Sequence, residues 1–424
     1  MLSLRPFGTT VFYERKKGGV TSPRGFRAGG IHAGFKKKDG AKDLALVVAD
    51  EPCSTAGAFT KNIFCAAPVQ LCKEYLGEHS CGKAQALVLN SGNANAATGA
   101  PGLTIARNTT KCAAKLIRCA AQEVLVASTG VIGVEPPPFF SKGLAELVNV
   151  VSDEGGHEAA EAIMTTDTRA KECAISWKSS DPEYADSEFC VGGMAKGSGM
   201  IMPDMATMLA VLTTDVPFSP VLLRKTLCAS IAKSFNKVSV DSDTSTNDSC
   251  FAMASGKTNN NKKMSYINED SILFQEALHA FDAVAIELAR AIASDGEGAT
   301  KLVSVNVEGA ASESDADKAA RAIANSPLVK TAIFGHDANW GRVAMAIGKS
   351  GASFKQEDVS IDFAGIPVCR KGLTMPFDEQ EALRRFEAPE IIIWVDLGAG
   401  TFQTTIWTCD YSHDYITING DYRT

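Results

Sequence analysis

The residue whose chemistry stands out is Thr207, near the middle of the chain, in an apolar run that follows a glycine-rich turn. On composition alone, a β-branched residue packed in a buried strand is the commoner interpretation of such a threonine. The alternative is a nucleophile, because a threonine at a chain N-terminus can pass its hydroxyl proton to its own α-amine. That amine has a pKa of about 7.7–8.0. The chemistry requires a chain break between Ala206 and Thr207, by attack of the Thr207 hydroxyl on the Ala206 carbonyl and hydrolysis of the resulting ester.

The residues around this junction carry a long and specific resemblance. The string KGSGMI at residues 196–201, then Pro203, then MATML at residues 205–209 is similar to the self-cleavage motif of one enzyme family. This is the ornithine acetyltransferase family, also called bifunctional glutamate N-acetyltransferase, and the resemblance favours the nucleophile. Two positions depart from the family pattern, Met202 and Asp204. Neither removes the Ala-Thr junction, although an acid at 204 could change the rate of self-cleavage.

The resemblance covers residues 18–424 and implies a fold and an assembly. The implied fold class is α/β, an αββα sandwich of the self-cleaving ornithine acetyltransferase and aminopeptidase type. Residues 1–300 would form the catalytic domain, and residues 301–424 a smaller C-terminal α/β domain whose tail returns to the active site. Self-cleavage would give an α chain of residues 1–206 and a β chain of residues 207–424. In the family these chains stay together and pair further, which implies α2β2 or a larger assembly.

A second candidate element is the turn at Thr129 and Gly130, which follows an apolar stretch that predicts a buried strand. Acyl transfer needs hydrogen-bond donors aimed at the developing oxyanion, and a Thr-Gly turn offers backbone N–H groups and one hydroxyl. Alone, the pattern is more often a simple turn. The string STGVIG at residues 128–133 resembles the oxyanion hole of the family, which implies that role for Thr129 and Gly130.

Other candidate residues owe their roles to the same resemblance. It implies that one threonine of the TTDT string at residues 165–168 contacts substrate, and we choose Thr166, with Thr165 and Thr168 as alternatives. Lys196 would offer a positive charge to a carboxylate, and Glu297, between two glycines, would hold an ammonium group. The implied contacts from the tail are Asn419 and Thr424.

Patterning predicts the elements that position these residues. An apolar strand at residues 44–49 is expected to end at Asp-Glu-Pro, and the polar loop at 90–96 is expected to line the site. A short strand is expected at 238–240. Apolar residues at helical spacing predict a long helix at 272–294, capped by Asp-Ser. The tail, residues 407–424, is rich in aromatics and is expected to dock through a strand.

Composition excludes several classes of function. The formal net charge of −7 argues against nucleic acid as a partner, because duplex binding relies on clustered Lys and Arg. No stretch reaches the roughly 18 apolar residues that a membrane span needs. The 12 cysteines form no Cys-x-x-Cys pair and the six histidines are dispersed, so we predict no metal site. The expected location is the cytoplasm, with the mitochondrial matrix as the alternative because the first seventeen residues faintly resemble a presequence.

By resemblance, the enzyme would move the acetyl group of N²-acetylornithine to glutamate through an acetyl ester on Thr207, with ornithine and N-acetylglutamate as products. No cofactor is implied, although acetyl-CoA is an open alternative as a co-substrate. Two other interpretations remain. One is a self-cleaving aminopeptidase of related fold, a group that has serine at the nucleophile position. The other is an inactive homologue that serves as a structural subunit.

Overall fold

The computed structural model describes residues 2–4, 11–137, 140–185, 187–202, 208–257 and 264–421, and these residues form two β-sheets with helices packed on them. The strands of the first sheet are β1 (Leu2–Leu4), β2 (Val11–Lys16), β3 (Phe26–Ile31), β4 (Leu44–Phe59), β5 (Cys81–Asn90), β6 (Val124–Ser128), β7 (Lys171–Lys178), β8 (Glu188–Lys196), β9 (Leu209–Thr214) and β10 (Ser249–Ala254). The helices between them are α1 (Ala67–Leu76), α2 (Gly99–Ile117), α3 (Phe140–Val148), α4 (Gly156–Ala162) and α5 (Pro220–Lys233), and α6 (Ile272–Ser294) follows.

The first sheet runs in the order β1-β2-β7-β8-β9-β10-β4-β5-β6, and β3 pairs with β4 beside this path. Most neighbours are antiparallel, but β9 with β10 and β5 with β6 are parallel. The carboxyl end of β8 and the amino end of β9 therefore lie side by side, because Lys196 is in register with Leu209. This edge of the sheet is where the glycine-rich turn leaves β8.

Two apolar clusters give the first sheet its layers. One face of β7–β10 packs on α5 and α6, with residues such as Leu212 and Phe281 fully buried. The opposite face of the same strands, which includes Val211 and Phe251, shares a second cluster with β3–β6 and with the helices α1–α4. This one hydrogen-bonded sheet therefore has two layers of strands, β7–β10 and β3–β6, between the helices α5 and α6 and the helices α1–α4, which is the αββα arrangement that the resemblance implies.

The predicted end of the strand at residues 44–49 is wrong, because β4 continues through Asp50, Glu51 and Pro52 to Phe59. The pairing of β4 with β5 is irregular between Val48 and Cys53, so the ladder is interrupted where proline has no N–H to donate. The acids at 50 and 51 face solvent at this irregularity. Beyond it, residues 54–59 pair with β10 and bring β4 into the centre of the sheet.

The predicted long helix is confirmed as α6 with the bounds expected from its spacing. The Ser271 hydroxyl caps it by accepting a hydrogen bond of 3.1 Å from the Phe274 N–H. The predicted strand at 238–240 is wrong. An isolated bridge joins Val238 to Trp407. The Ser239 N–H donates to the Trp407 carbonyl but the Val240 N–H donates to the Ile201 carbonyl, so the segment does not pair continuously with one strand.

The second sheet has its own apolar core and the order β14-β13-β12-β15-β11-β16. Its strands are β11 (Leu302–Ala310), β12 (Ser360–Phe363), β13 (Ile366–Arg370), β14 (Leu373–Thr374), β15 (Glu390–Asp396) and β16 (Phe402–Cys409). The accompanying helices are α7 (Glu313–Ala324), α8 (Pro327–Phe334), α9 (Trp340–Gly348), α10 (Glu379–Arg385) and α11 (His413–Asp421).

The described part of the tail ends in the helix α11, where the predicted strand is therefore wrong. Tyr411 and Tyr415 are four residues apart and stack with ring centroids 4.5 Å apart, a spacing that brings side chains together on one face of a helical turn. The preceding Asp410 carboxylate accepts hydrogen bonds from the Thr300 and Lys301 N–H groups, at 2.8 and 2.9 Å, and fixes the chain where the helix begins. In the part of the chain described, no helix has the length and apolar character that crossing a bilayer needs.

Candidate active site

A polar cavity of about 240 Å³ lies at the edge where β8 ends and β9 begins. Its walls come from several segments of the chain. These are Ala94 of the loop at 90–96, the turn after β6, the loop at 165–166, the turn at 196–201, the start of β9 at 208–209, the loop at 241–248, Glu297 and helix α11.

The turn after β6 presents two unused donors to the cavity. The Thr129 N–H is already bonded to the Asn90 carbonyl at 3.0 Å, so the donor that residue 129 can offer a ligand is its hydroxyl. Gly130 has a φ of 130°, and a Cβ there would lie 2.4 Å from the backbone carbon of Gly92. Only glycine fits this close approach, and among the described residues its N–H has no partner. The turn therefore offers one hydroxyl and one N–H side by side.

A buried amide network fixes this turn. The Asn90 side chain donates to the Asn93 carbonyl at 2.9 Å and accepts from the Ser128 hydroxyl at 2.6 Å. Asn247, from the loop before β10, donates to the carbonyls of Ala94 and Ser128 at 2.6 and 2.8 Å. Because these polar groups are buried, losing one partner would leave the other unsatisfied, and the network holds the donors of residues 129 and 130 in place.

Lys196 ends β8 with its ammonium group buried at the cavity wall. Burial lowers the pKa of Lys196, and the Asp167 carboxylate opposes that shift. Burial acts to raise the pKa of Asp167 in turn, but the positive charges of Lys196 and Lys171 outweigh it and hold that pKa well below its usual range. The site thus contains a buried cation beside a carboxylate that stays ionised.

The same carboxylate links two walls of the cavity. Asp167 accepts from the Gly197 N–H at 2.8 Å and from the Thr165 N–H at 3.0 Å. Lys171 forms ion pairs with Asp167 and Asp295, and none of these three side chains is more than 4 % exposed. The loop of Thr166 and the glycine-rich turn are thereby tied to the segment that leads to Glu297.

Glu297 and Asn419 meet at the cavity wall. The Asn419 side chain donates to the Glu297 carboxylate at 2.8 Å, and the Glu297 N–H donates to the Ser198 carbonyl at 3.0 Å. A Cβ at Gly199 would lie 2.4 Å from the Glu297 carboxyl carbon, so the carboxylate occupies space that any side chain at 199 would take. Helix α11 reaches this wall because the Ser412 hydroxyl donates to the Gly298 carbonyl.

The loop at 241–248 closes the cavity. The Asp241 carboxylate accepts from the N–H groups of Met200 and Ile201, and Met202 bonds through its own N–H to the Asp243 carbonyl. Ser242 has a φ of 67°, in the left-handed region that favours glycine. Glycine would adopt this conformation without the steric cost that serine bears there.

Comparison with known proteins identifies the family of this chain. The model of the ArgJ family matches residues 27–424. The chain belongs to the ArgJ family. The arginine biosynthesis bifunctional protein ArgJ of Chlorobaculum tepidum is 48% identical over 402 residues, which are 95% of this chain and 96% of that protein. The chloroplastic ArgJ of Oryza sativa subsp. indica is 41% identical over 97% of this chain and 89% of that protein.

Two solved structures are similar to part of the chain. The ArgJ of Bacillus halodurans has 39% identity and a TM-score of 0.47, and the match covers 50% of this chain and 98% of that one. The ornithine acetyltransferase of Mycobacterium tuberculosis, solved in complex with ornithine, has 38% identity and a TM-score of 0.41. That match covers 46% of this chain and 100% of that one. The family model and the relatives of 41–48% identity confirm the resemblance stated from the sequence as membership of the ArgJ family.

The structure brings together most of the side chains that the sequence analysis selected. The selected residues that line the cavity are Thr129, Gly130, Thr166, Lys196, Glu297 and Asn419. Of the alternatives to Thr166, Thr165 also lines it, whereas Thr168 is bonded to Asp295. Ala206, Thr207 and Thr424 lie outside the described residues, although Thr207 is covalently joined to Met208, which lines the cavity. Their roles stay predictions, as do those of the cavity residues.

Sequence reasoning missed the residues that hold the site together. The sequence analysis includes Asp167 only within the TTDT string and does not select Lys171 or Asp248. The signal available was charge in an apolar context, since Lys171 lies in a strand of buried residues and Asp248 directly precedes one. Buried charges are rarely found without a partner. Asp167 is only four residues from Lys171, but the second partner of Lys171, Asp295, is 124 residues away. Lys196, the cation that acts on Asp248, is about 50 residues from it.

Proposed function

We propose that this member of the ArgJ family transfers the acetyl group of N²-acetylornithine to glutamate through an acetyl ester on Thr207. The observation that carries the proposal is the convergence of six positions, scattered from residue 129 to residue 419, on one cavity that also includes Met208. Relatives with 41–48% identity are named arginine biosynthesis bifunctional protein ArgJ, which supports a place in arginine biosynthesis.

In the proposed reaction the free Thr207 amine accepts the proton of its own hydroxyl, whose oxygen attacks the acetyl carbonyl. The Thr129 hydroxyl and the Gly130 N–H stabilise the oxyanion. The carbon–nitrogen bond to ornithine then breaks, the leaving nitrogen takes the proton, and the acetyl group remains on Thr207. The α-amine of glutamate attacks this ester, so that N-acetylglutamate leaves and the Thr207 hydroxyl is restored.

The charges at the cavity wall suit amino-acid substrates. Lys196 would pair with a substrate carboxylate and Glu297 with an ammonium group. The cavity, at about 240 Å³, is below the roughly 300–1,000 Å³ of sites for drug-sized ligands, which fits a substrate the size of an amino acid. If acetyl-CoA serves as a co-substrate, its acetyl end would enter this cavity while the nucleotide stays outside. No other cofactor is part of the proposal.

The proposal includes self-cleavage between Ala206 and Thr207, to an α chain of residues 1–206 and a β chain of residues 207–424. It also includes the division into a catalytic domain up to residue 300 and a C-terminal domain from 301, with assembly as α2β2 or larger. The second sheet begins at Leu302 and has a core of its own, which supports the domain division. The cytoplasm remains our predicted location.

The first experiment is intact-mass analysis of purified protein together with an acetyl-exchange assay. We expect two fragments joined at Ala206/Thr207 in the wild type, and transfer of a labelled acetyl group from N²-acetylornithine to glutamate. Thr207→Ala should stay whole and inactive, and cleavage of that variant would contradict the assignment. Release of amino acids from peptides without acetyl exchange would favour the aminopeptidase, and an uncut, inactive wild type would favour the structural subunit.

A further inference from the structure

Lys330 is a buried charged residue that has no role in the proposed reaction. It lies in α8 and is 1% exposed, although lysine is among the residues that are least often fully buried. Burial lowers its pKa, and Asp241 and Asp410 act on its charge at longer range. A methionine of similar length would fill the same space without burying a charge, so packing alone does not explain a lysine at this position.

Neutral groups surround the Lys330 ammonium. Its Nζ donates to the Thr408 hydroxyl and to the Cys409 carbonyl, each at 2.6 Å, and both residues belong to the end of β16. The Nζ also lies 4.5 Å from the centroid of the Tyr411 ring, within the range of a cation–π contact. An ammonium group has three N–H donors, so two oxygen atoms and one ring face match its capacity.

Tyr411 connects Lys330 to helix α11. The Tyr411 N–H donates to the Lys330 carbonyl at 3.3 Å, so the two residues are joined through the backbone as well as through the ring. The Tyr411 ring stacks on the Tyr415 ring, with centroids 4.5 Å apart and an angle of 15° between the planes. Lys330 and Tyr415 therefore both pack against one aromatic ring.

Tyr415 is part of the cavity wall, as is Asn419 one helical turn later. The Asn419 side chain donates to the Tyr415 carbonyl at 3.0 Å and to the Glu297 carboxylate at 2.8 Å. A Cβ at Gly298 would lie 2.6 Å from the Tyr415 nitrogen, so α11 packs closely on the segment of Glu297. A continuous series of contacts thus runs from the buried ammonium to two side chains that we expect to hold the substrate.

We propose that Lys330 is a positioning residue whose ammonium group, through the Tyr411 ring, holds helix α11 in the place that substrate binding requires. This inference rests on the proposed function, in which Glu297 and Asn419 contact the substrate. Lys330 itself does not line the cavity. Because α11 would contact substrate and transition state alike, loosening it should weaken binding and leave the chemical step nearly unchanged.

Helix α11 has other anchors that remain when Lys330 is changed. The Phe334 ring of α8 meets the His413 ring edge to face, with centroids 5.5 Å apart. The Ser412 hydroxyl donates to the Gly298 carbonyl. Losing the ammonium should therefore loosen α11 locally and leave the rest of the fold in place.

The test is Lys330→Met in the full chain, which keeps an unbranched side chain and removes the charge. We expect KM for N²-acetylornithine to rise about tenfold or more, with kcat per cut chain within about threefold of wild type. Amide hydrogen exchange in residues 413–421 should become about tenfold faster or more, while exchange in α2 stays at the wild-type rate.

Two variants of the aromatic ring separate its face from its hydroxyl. Tyr411→Leu removes the ring and should reproduce the changes in KM and in hydrogen exchange. Tyr411→Phe keeps the ring face and should bring both quantities to within about threefold of wild type. Lys257→Met is the matched control, because Lys257 is a buried lysine that pairs with Asp50 and does not line the cavity. It should change neither quantity.

A folded Lys330→Met protein in which either KM or the exchange of residues 413–421 keeps its wild-type value would overturn the inference. A Tyr411→Phe protein as impaired as Tyr411→Leu would overturn it too, because the ring face would then not be what matters. If Lys330→Met does not fold, the two Tyr411 variants carry the test. A wild type without acetyl exchange would instead refute the proposed function, and hydrogen exchange would still decide whether Lys330 holds α11.

Discussion

The oxyanion turn allows one catalytic contribution to be removed without disturbing the backbone. The Thr129 N–H is bonded to Asn90, so the side-chain hydroxyl is the donor that residue 129 can give. Thr129→Val replaces this hydroxyl with a methyl group and keeps β-branching, the backbone pairing with Asn93 and the neighbouring Gly130 N–H. Losing one of two oxyanion donors typically costs about 10²–10³ in rate, or about 2.7–4 kcal/mol of transition-state stabilisation.

We therefore expect kcat for acetyl exchange to fall by about 10²–10³ in Thr129→Val, with a small change in KM, since the lost bond forms with the oxyanion. Rates are measured per cut chain, because slower self-cleavage would otherwise mimic a catalytic defect. Thr129→Ser keeps the hydroxyl and should retain most of the activity. A folded, cut Thr129→Val enzyme with kcat within about threefold of wild type would refute the assignment of this hydroxyl as an oxyanion donor.

Three further expectations concern stability. Lys171→Met leaves the buried Asp295 without its cation and Asp167 with Lys196 alone, so the free energy of unfolding should fall by about 3–5 kcal/mol, and a wild-type denaturation curve would contradict this. Burial raises the pKa of Asp215 from 3.8 to about 6, so the folded state binds more protons than the unfolded state between these values. The contribution of Asp215 to the free energy of unfolding is present below the lower pKa and is lost, by up to roughly 3 kcal/mol, as pH rises through the upper one. The free energy of unfolding of wild type should therefore fall more steeply with pH in this window than that of Asp215→Asn. Parallel pH profiles of the two proteins would refute this expectation. Ser242→Gly removes the steric strain of a left-handed backbone at residue 242, so the free energy of unfolding should rise by about 1 kcal/mol and the denaturation midpoint should rise with it. A lower midpoint would show that no strain is stored there.

The sequence was sufficient to predict features that depend on local pattern or on a shared motif. Apolar spacing and a capping serine predicted α6 with its observed bounds. The resemblance selected residues such as Thr129, Lys196 and Glu297, which line one cavity although they are far apart in the chain. Both the helix and the candidate site residues were predicted from residue types at short spacing in the sequence. The fold then brings the separate motifs to one cavity.

Local reasoning failed where tertiary pairing decided the outcome. Pro52 predicted a strand end, but an irregular ladder tolerates the missing N–H and lets β4 continue to its second partner, β10. The aromatic tail favoured a strand, but Tyr411 stacks on Tyr415 and lies 4.5 Å from the Lys330 ammonium, which supports a helix. Asp248 directly precedes a strand of buried residues, but its neighbour Met208 is set by the register of β10 with β9, which no local pattern predicts.

The position of the proposed cleavage point within the sheet bears on how the two products would behave. β8 precedes residue 207 and β9 follows it, yet they pair along six residue positions, and β10 pairs with β4 in the same sheet. The ion pair of Lys171 with Asp295 crosses the same point in sequence. Breaking one peptide bond would therefore leave the hydrogen-bonded ladder and the shared apolar cores in place. Because Thr129 and Lys196 come from one product and Glu297 and Asn419 from the other, neither product alone contains the cavity, and catalysis requires that the two stay together.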